Sequence, residues 1–96
     1  MKQLLWYLIA GTRGGETRGK IIATLYAKPH NANQLAEKLS LDYKTIQHHL
    51  RILTKNNILT TINKGSYGAV YFVSEVVDKT LFAEIWGKFG KSNIKQ

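Results

Sequence analysis

The spacing of apolar positions divides this chain into helical and extended stretches. Residues 4–9 (Leu4, Leu5, Trp6, Tyr7, Leu8 and Ile9) are an unbroken apolar run. So short a run fits a buried helix or a strand, and helix is the preferred reading. Gly11, Gly14 and Gly15 then mark a loop. From Thr17 onward Ile21, Ile22, Leu25 and Tyr26 recur on one helical face. Pro29 ends that helix, because proline has no N–H to donate and disfavours helix in the residue before it. Asn31 and Gln34 have the spacing of a capping box, opening a short helix over 32–39 with Leu35 and Leu39 one turn apart. Ser40-Leu41 makes a turn, and Asp42 is a fit N-cap for a third helix over 43–55. Asn56-Asn57 stops it, since Asn tolerates the left-handed conformation at a helix end.

Beyond this point the period falls toward two. Residues 58–62 and 69–73 are rich in Ile, Thr, Val, Tyr and Phe, and a glycine-containing loop over 63–68 joins them as an antiparallel hairpin. Ser74 can cap a last helix whose apolar positions are Val77, Leu81, Phe82, Ile85, Trp86 and Phe89, with a fraying tail from Gly90 to Gln96. The expected fold is mainly α with a β-hairpin wing: a winged helix-turn-helix in the order α-α-α-α-β-β-α. The 96 residues make a single domain. Within it 31–55 is the helix-turn-helix, 58–73 the wing, and 1–11 and 75–90 the dimerisation elements.

The third helix separates sharply into two faces. At about 100° per residue, Ile46, Leu50 and Leu53 fall within about 60° of one another and form an inward stripe. Lys44, His48, Arg51 and Lys55 fall within a similar arc on the opposite side, flanked by Thr45 and Gln47. These are side chains that hydrogen-bond base edges and phosphates. Residues 43–55 as a helix are about 20 Å long, which suits the ~12 Å width of the major groove. A charged outer face is often merely solvated. Here every charge has one sign and the helix follows a second helix and a tight turn, which favours DNA reading. Ile52 fits neither face; it packs under the wing or meets thymine methyls.

Charge supports the same reading. Fourteen Lys and Arg against six Asp and Glu leave +8, a balance that draws a polyanion. There is no cysteine, so disulfides, thiolate metal sites and thiol nucleophiles are excluded. No apolar run approaches the ~20 residues of a membrane span. No signal-peptide cleavage pattern is visible, and the expected location is cytoplasmic. Adjacent His48 and His49 point about 100° apart and do not chelate together. His49 instead packs half-buried with one ring nitrogen bonded, and His30 is a surface turn residue. No metal and no cofactor is expected.

The stretch Asn31-Ala32-Asn33-Gln34-Leu35-Ala36-Glu37-Lys38-Leu39, followed by Leu41-Asp42-Tyr43-Lys44-Thr45-Ile46-Gln47-His48-His49-Leu50-Arg51-Ile52-Leu53, resembles the helix-turn-helix of archaeal winged-helix regulators of the ArsR-like group. Ala10-Gly11-Thr12-Arg13-Gly14-Gly15 and Tyr67-Gly68-Ala69-Val70-Tyr71-Phe72 resemble the same branch, so the likeness spans nearly the whole chain. The resemblance implies a dimeric transcription factor whose third helix enters the major groove, with Tyr43, Lys44, Thr45, Gln47 and His48 at its DNA-reading positions. Metal-sensing members carry cysteines on that helix or Asp, His and Glu ligands on the last one. This chain lacks the cysteines and has no His on its last helix, so the resemblance does not extend to metal sensing.

Arg51, Lys55 and Lys64 add phosphate attraction, with Asn63, Lys64, Ser66 and Tyr67 at the wing tip. Tyr67 stacks on a sugar or packs on the hairpin. The loop over 11–15 lacks the Gly-Lys-Ser/Thr of a phosphate-binding loop and reads as a flexible link. Arg13, Arg18 and Lys20 near it either touch phosphates or are solvated. Leu5, Trp6, Leu81, Phe82, Ile85, Trp86 and Phe89 are more apolar surface than one small core needs, and a second copy of the chain is the expected cover. The expected function is sequence-specific double-stranded DNA binding by a homodimeric regulator. The alternatives are a protein-interaction winged helix of a larger transcription or RNA machine and a non-specific nucleoid protein. With no activated nucleophile or acid–base pair in view, catalysis is the weakest class.

Overall fold

Local chemistry sets most of the element boundaries. A computed structural model describes residues 1–63 and 68–94. In chain order the elements are α1 (Lys2–Ile9), α2 (Gly15–Ala27), β1 (His30–Asn31), α3 (Ala32–Leu39), α4 (Tyr43–Lys55), β2 (Leu59–Ile62), β3 (Val70–Val73) and α5 (Lys79–Ile94). The first apolar run is a helix because Leu5, Leu8 and Ile9 share its buried face. The capping box of α3 is present: Gln34 N donates to Asn31 Oδ1 and Asn31 N to Gln34 Oε1, both at 2.8 Å. Asp42 caps α4 by accepting from Thr45 N at 3.2 Å. Asn57 takes a φ of 62° just past that helix.

Several expectations are corrected. His30 is buried rather than on a surface turn. It belongs to β1, which pairs antiparallel with β3, so the wing hairpin is part of a three-stranded sheet in the order β1-β3-β2. Its Nδ1 donates to the Lys28 carbonyl at 2.8 Å. Ser74 does not cap the last helix; its hydroxyl accepts from Val76 N in a turn, and Asp78 Oδ1 accepts from Thr80 N and Leu81 N at the start of α5. The backbone of α5 continues to Ile94 instead of fraying at Gly90.

One core runs through the molecule, formed by Leu5 and Ile9 of α1, Ile21 and Ile22 of α2, Leu35 of α3, Ile46, Leu50 and Leu53 of α4, Ile58, and Phe82 and Ile85 of α5. The glycine-rich link is a tight corner in that core rather than a flexible tether. Gly14 sits at a φ of 87°, which an L side chain rarely adopts. Gly15 is buried, and a Cβ there would lie 1.8 Å from the Ile9 carbonyl oxygen. Farther along α2, a Cβ on Gly19 would come within 2.2 Å of the Trp86 ring, so α2 and α5 touch where no side chain intervenes.

Gly15→Ala must therefore push α1 off α2. It should lower stability by about 3 kcal/mol or more, at or beyond the upper end of ordinary overpacking. Gly68→Ala, with nothing within 4 Å, serves as the control and should leave the urea midpoint near its original value.

Candidate nucleic-acid interface

α4 stands as a ridge on this scaffold. Ile46, His49, Leu50 and Leu53 bury one side of it. Lys44, His48, Arg51 and Lys55 are exposed on the other, with Tyr43 exposed in the first turn and Thr45 and Gln47 half-buried at the flanks. The structure thus gathers the seven α4 residues expected to meet DNA on one surface. Three of them, Tyr43, Thr45 and Gln47, have side-chain partners already. Gln47 Nε2 donates to the Tyr43 hydroxyl at 2.9 Å, which fixes the amide's direction. The Thr45 hydroxyl donates to Asp42 Oδ1 at 2.6 Å, so it offers only acceptor lone pairs outward. That hydroxyl bond, helped by the Thr45 amide, holds the Asp42 carboxyl below the usual carboxylate range.

Concavities lie on both sides of the ridge. Toward the sheet, Leu50, Arg51, Thr54, Lys55, Thr61 and Tyr71 line a hollow of about 440 Å³. Toward α1, a hollow of about 350 Å³ includes Tyr7, Leu8, Thr12, Arg13, His48 and Ile52. Ile52 therefore sits on the α1 side and also packs on the core, away from the wing. In the wing, Asn63 is exposed at a φ of 62°. Lys64, Ser66 and Tyr67 lie outside the described residues.

Arg18 is neither solvated nor placed to grip a phosphate from the surface. It is 4% exposed. Its Nε donates to the Leu8 carbonyl at 2.8 Å, and one terminal nitrogen donates to the Arg13 carbonyl at 3.2 Å and to the Thr12 hydroxyl. The other lies 3.2 Å from Nδ1 of His49. A guanidinium can only donate, so His49 accepts through Nδ1 and carries its proton on Nε2. Burial, then the Arg18 charge, then His48, push the His49 pKa down to about 4. His49 has the bonded ring nitrogen expected from sequence but is buried rather than half-buried, and the role of Arg18 was missed. The signal was there: Arg18, Ile22 and Leu25 share one helical stripe, so Arg18 points inward with them. Arg13 is exposed, and Lys20 pairs with Glu16 at 3.2 Å.

The apolar residues expected at a dimer interface fall into two groups. Leu5, Phe82 and Ile85 are already buried within the chain and leave no surface for a partner. Trp6 is 48% exposed and the neighbouring Tyr7 57%. Leu81, Trp86 and Phe89 are partly covered. Trp86 lies over Gly19 and stacks with Phe82 and Phe89, at centroid distances of 6.3 and 5.9 Å. Among the described residues no three His, Cys, Asp or Glu cluster as metal ligands, and no helix is long and apolar enough to cross a membrane.

Comparison with known proteins places this geometry. Residues 15–61, from α2 to β2, match the family described as bacterial regulatory protein, arsR family. The fold is similar to that of the adhesin competence repressor AdcR from Streptococcus pyogenes, with a TM-score of 0.66 at 14% identity. That likeness covers 97% of this chain and 72% of the repressor's. No curated protein matches the sequence. The winged helix-turn-helix architecture is shared with that repressor, and the family matched over residues 15–61 is one of regulatory proteins.

The neutral His49 makes stability depend on pH. The unfolded chain protonates this ring near 6.5 and the folded chain only near 4. The unfolded state therefore binds the proton first, so His49's contribution is complete above pH 6.5 and is lost as pH falls toward 4. At about 1.4 kcal/mol per pH unit the loss is of order 3 kcal/mol. His49→Asn, whose Oδ1 can replace Nδ1 as acceptor, should flatten stability between pH 6.5 and 4.5 in urea titrations. An equal decline in variant and parent would assign the acid sensitivity elsewhere.

Proposed function

Since the chain carries an ArsR-family helix-turn-helix domain over residues 15–61, we propose that it is a sequence-specific double-stranded DNA-binding transcription regulator that acts as a cytoplasmic homodimer. The observation that carries this reading is the one-signed outer face of α4, where Lys44, Arg51 and Lys55 stand exposed on a helix whose opposite face is core. In this reading Tyr43, Thr45, Gln47 and His48 meet base edges. Lys44, Arg51, Lys55 and the wing's Lys64 meet phosphates, and Asn63, Ser66 and Tyr67 lie along the flanking backbone. Gln47 is the strongest candidate for direct readout, because glutamine pairs bidentately with adenine and Tyr43 pre-orients it here. Residues 31–55 are the DNA-reading unit and 58–73 the wing. Dimerisation belongs to α1 and α5, where Trp6, Leu81, Trp86 and Phe89 keep exposed surface. A two-fold pair would present two α4 ridges to half-sites about one helical turn apart.

Selection from random duplexes, followed by titration at several salt concentrations, tests the whole reading. Selected sites should be two-fold symmetric, and log affinity should fall with log salt at a slope of order −4 to −7. Gln47→Ala should weaken the selected site by about 1–3 kcal/mol while leaving random DNA and the slope nearly unchanged. Arg51→Ala should weaken both DNAs alike and flatten the slope by about one unit for each phosphate it no longer neutralises. A slope near zero removes DNA as the partner, and equal losses on both DNAs for Gln47→Ala remove residue 47 from base reading.

A further inference from the structure

The hollow between α1 and α4 carries more positive charge than its outer surface suggests. Arg13 stands exposed at its mouth, His48 lines its α4 side, and Arg18 forms part of its wall, while none of its lining residues is acidic. Arg18 is buried, and the acceptors it meets are all neutral: two carbonyls, the Thr12 hydroxyl and the His49 ring. A desolvated guanidinium without a carboxylate leaves its charge uncancelled, and the low-dielectric wall projects that potential into the adjoining space. The space adjoins the exposed face of α4, with which it shares His48. The hollow toward the sheet, on the other flank, is likewise bordered by cations, Arg51 and Lys55. A helix lying in a major groove has a phosphodiester backbone on each side, and the two hollows flank α4 in the same way.

We propose that the α1–α4 hollow seats a phosphate-class oxyanion, held by Arg13 and drawn in by the buried charge of Arg18. The proposal rests on the DNA-binding reading of α4 for its preferred source, a backbone phosphate of the duplex. Arg13 makes the direct contact, because a guanidinium fork matches phosphate geometry and its side chain is free to swing. Arg18 stays in the wall and sets the potential. The site lies outside the α4 face and the wing, so it adds a third anchoring point that fixes how far the ridge tilts in the groove.

The variant that isolates the site is Arg13→Gln. It keeps the backbone carbonyl that Arg18 needs and removes only the exposed charge. Lys2→Gln, at the opposite end of α1, makes the same change in net charge away from the hollow. Binding to a random duplex is titrated against salt for both variants and the parent. The thermal midpoints of the three DNA-free proteins are measured in sodium phosphate and in sodium chloride at equal ionic strength. Arg13→Gln should weaken DNA binding several-fold and reduce the salt slope by about 0.9, the value for one phosphate, whereas Lys2→Gln should change neither. A midpoint raised by phosphate in the parent and in Lys2→Gln but not in Arg13→Gln, with no difference in slope, keeps the site and moves its source from DNA to free phosphate. If Arg13→Gln and Lys2→Gln behave alike in both measurements, the site is overturned. If the parent binds no duplex at all, the DNA reading fails on its own, and the phosphate midpoints alone decide the hollow.

Discussion

The buried Arg18 is the interaction on which the presentation of α4 depends. One guanidinium ties the last turn of α1, the glycine corner and the middle of α4 together through Leu8, Thr12, Arg13 and His49. Burying a charge without a counter-ion is costly, and here hydrogen bonds to neutral acceptors offset that cost. Taking away the donor would strand the buried acceptors on α1 and α4 at about 1–3 kcal/mol each, and release the part-buried ones of the glycine corner. The surroundings conform to it. His49 stays neutral because burial disfavours the charged ring, and a protonated ring could not accept from Arg18. Gly14 lacks a side chain where a Cβ would lie 2.8 Å from the His49 ring. Gly15 lets the chain turn against the Ile9 carbonyl so that the corner can close.

Function follows from that restraint. A reading helix discriminates bases only if its orientation is fixed, since a tilt of the ridge moves every side chain on it. α4 is held from inside by Ile46, Leu50 and Leu53, from α2 by Arg18, and at its start by Asp42. The sheet is fixed separately, because β3 pairs with β1 as well as β2 and so ties the wing to the chain just before α3. The exposed face of α4 and the wing are therefore two faces of one rigid body, and Arg51 and Lys55 line the hollow between α4 and the sheet.

Much of this was legible from local rules. The capping box of α3, the Asp42 cap, the two faces of α4 and the Asn57 stop each depend on residues within one turn of each other, and each appears at the expected place. What escaped is non-local. β1 has only two residues and exists because β3 lies beside it, which also buries His30. Ser74, the cap expected from sequence, lies in a turn instead, and α5 starts where Asp78 Oδ1 accepts from Thr80 N and Leu81 N. Trp86 looks like a residue awaiting a partner until Gly19, 67 positions earlier, is found beneath it. The candidate site divides the same way: its α4 residues follow from periodicity, whereas Arg18 becomes visible only when its position on the apolar stripe of α2 is taken more seriously than its charge.

On the proposed function, this scaffold holds α4 for insertion into the major groove. Dimethyl sulfate interference on a bound duplex tests it most directly, because the reagent methylates guanine N7 in the major groove and adenine N3 in the minor groove. Methylated guanines within the half-sites should abolish binding, while methylated adenines there should be tolerated. Interference confined to adenine N3, with N7 methylation without effect, would contradict the placement of α4.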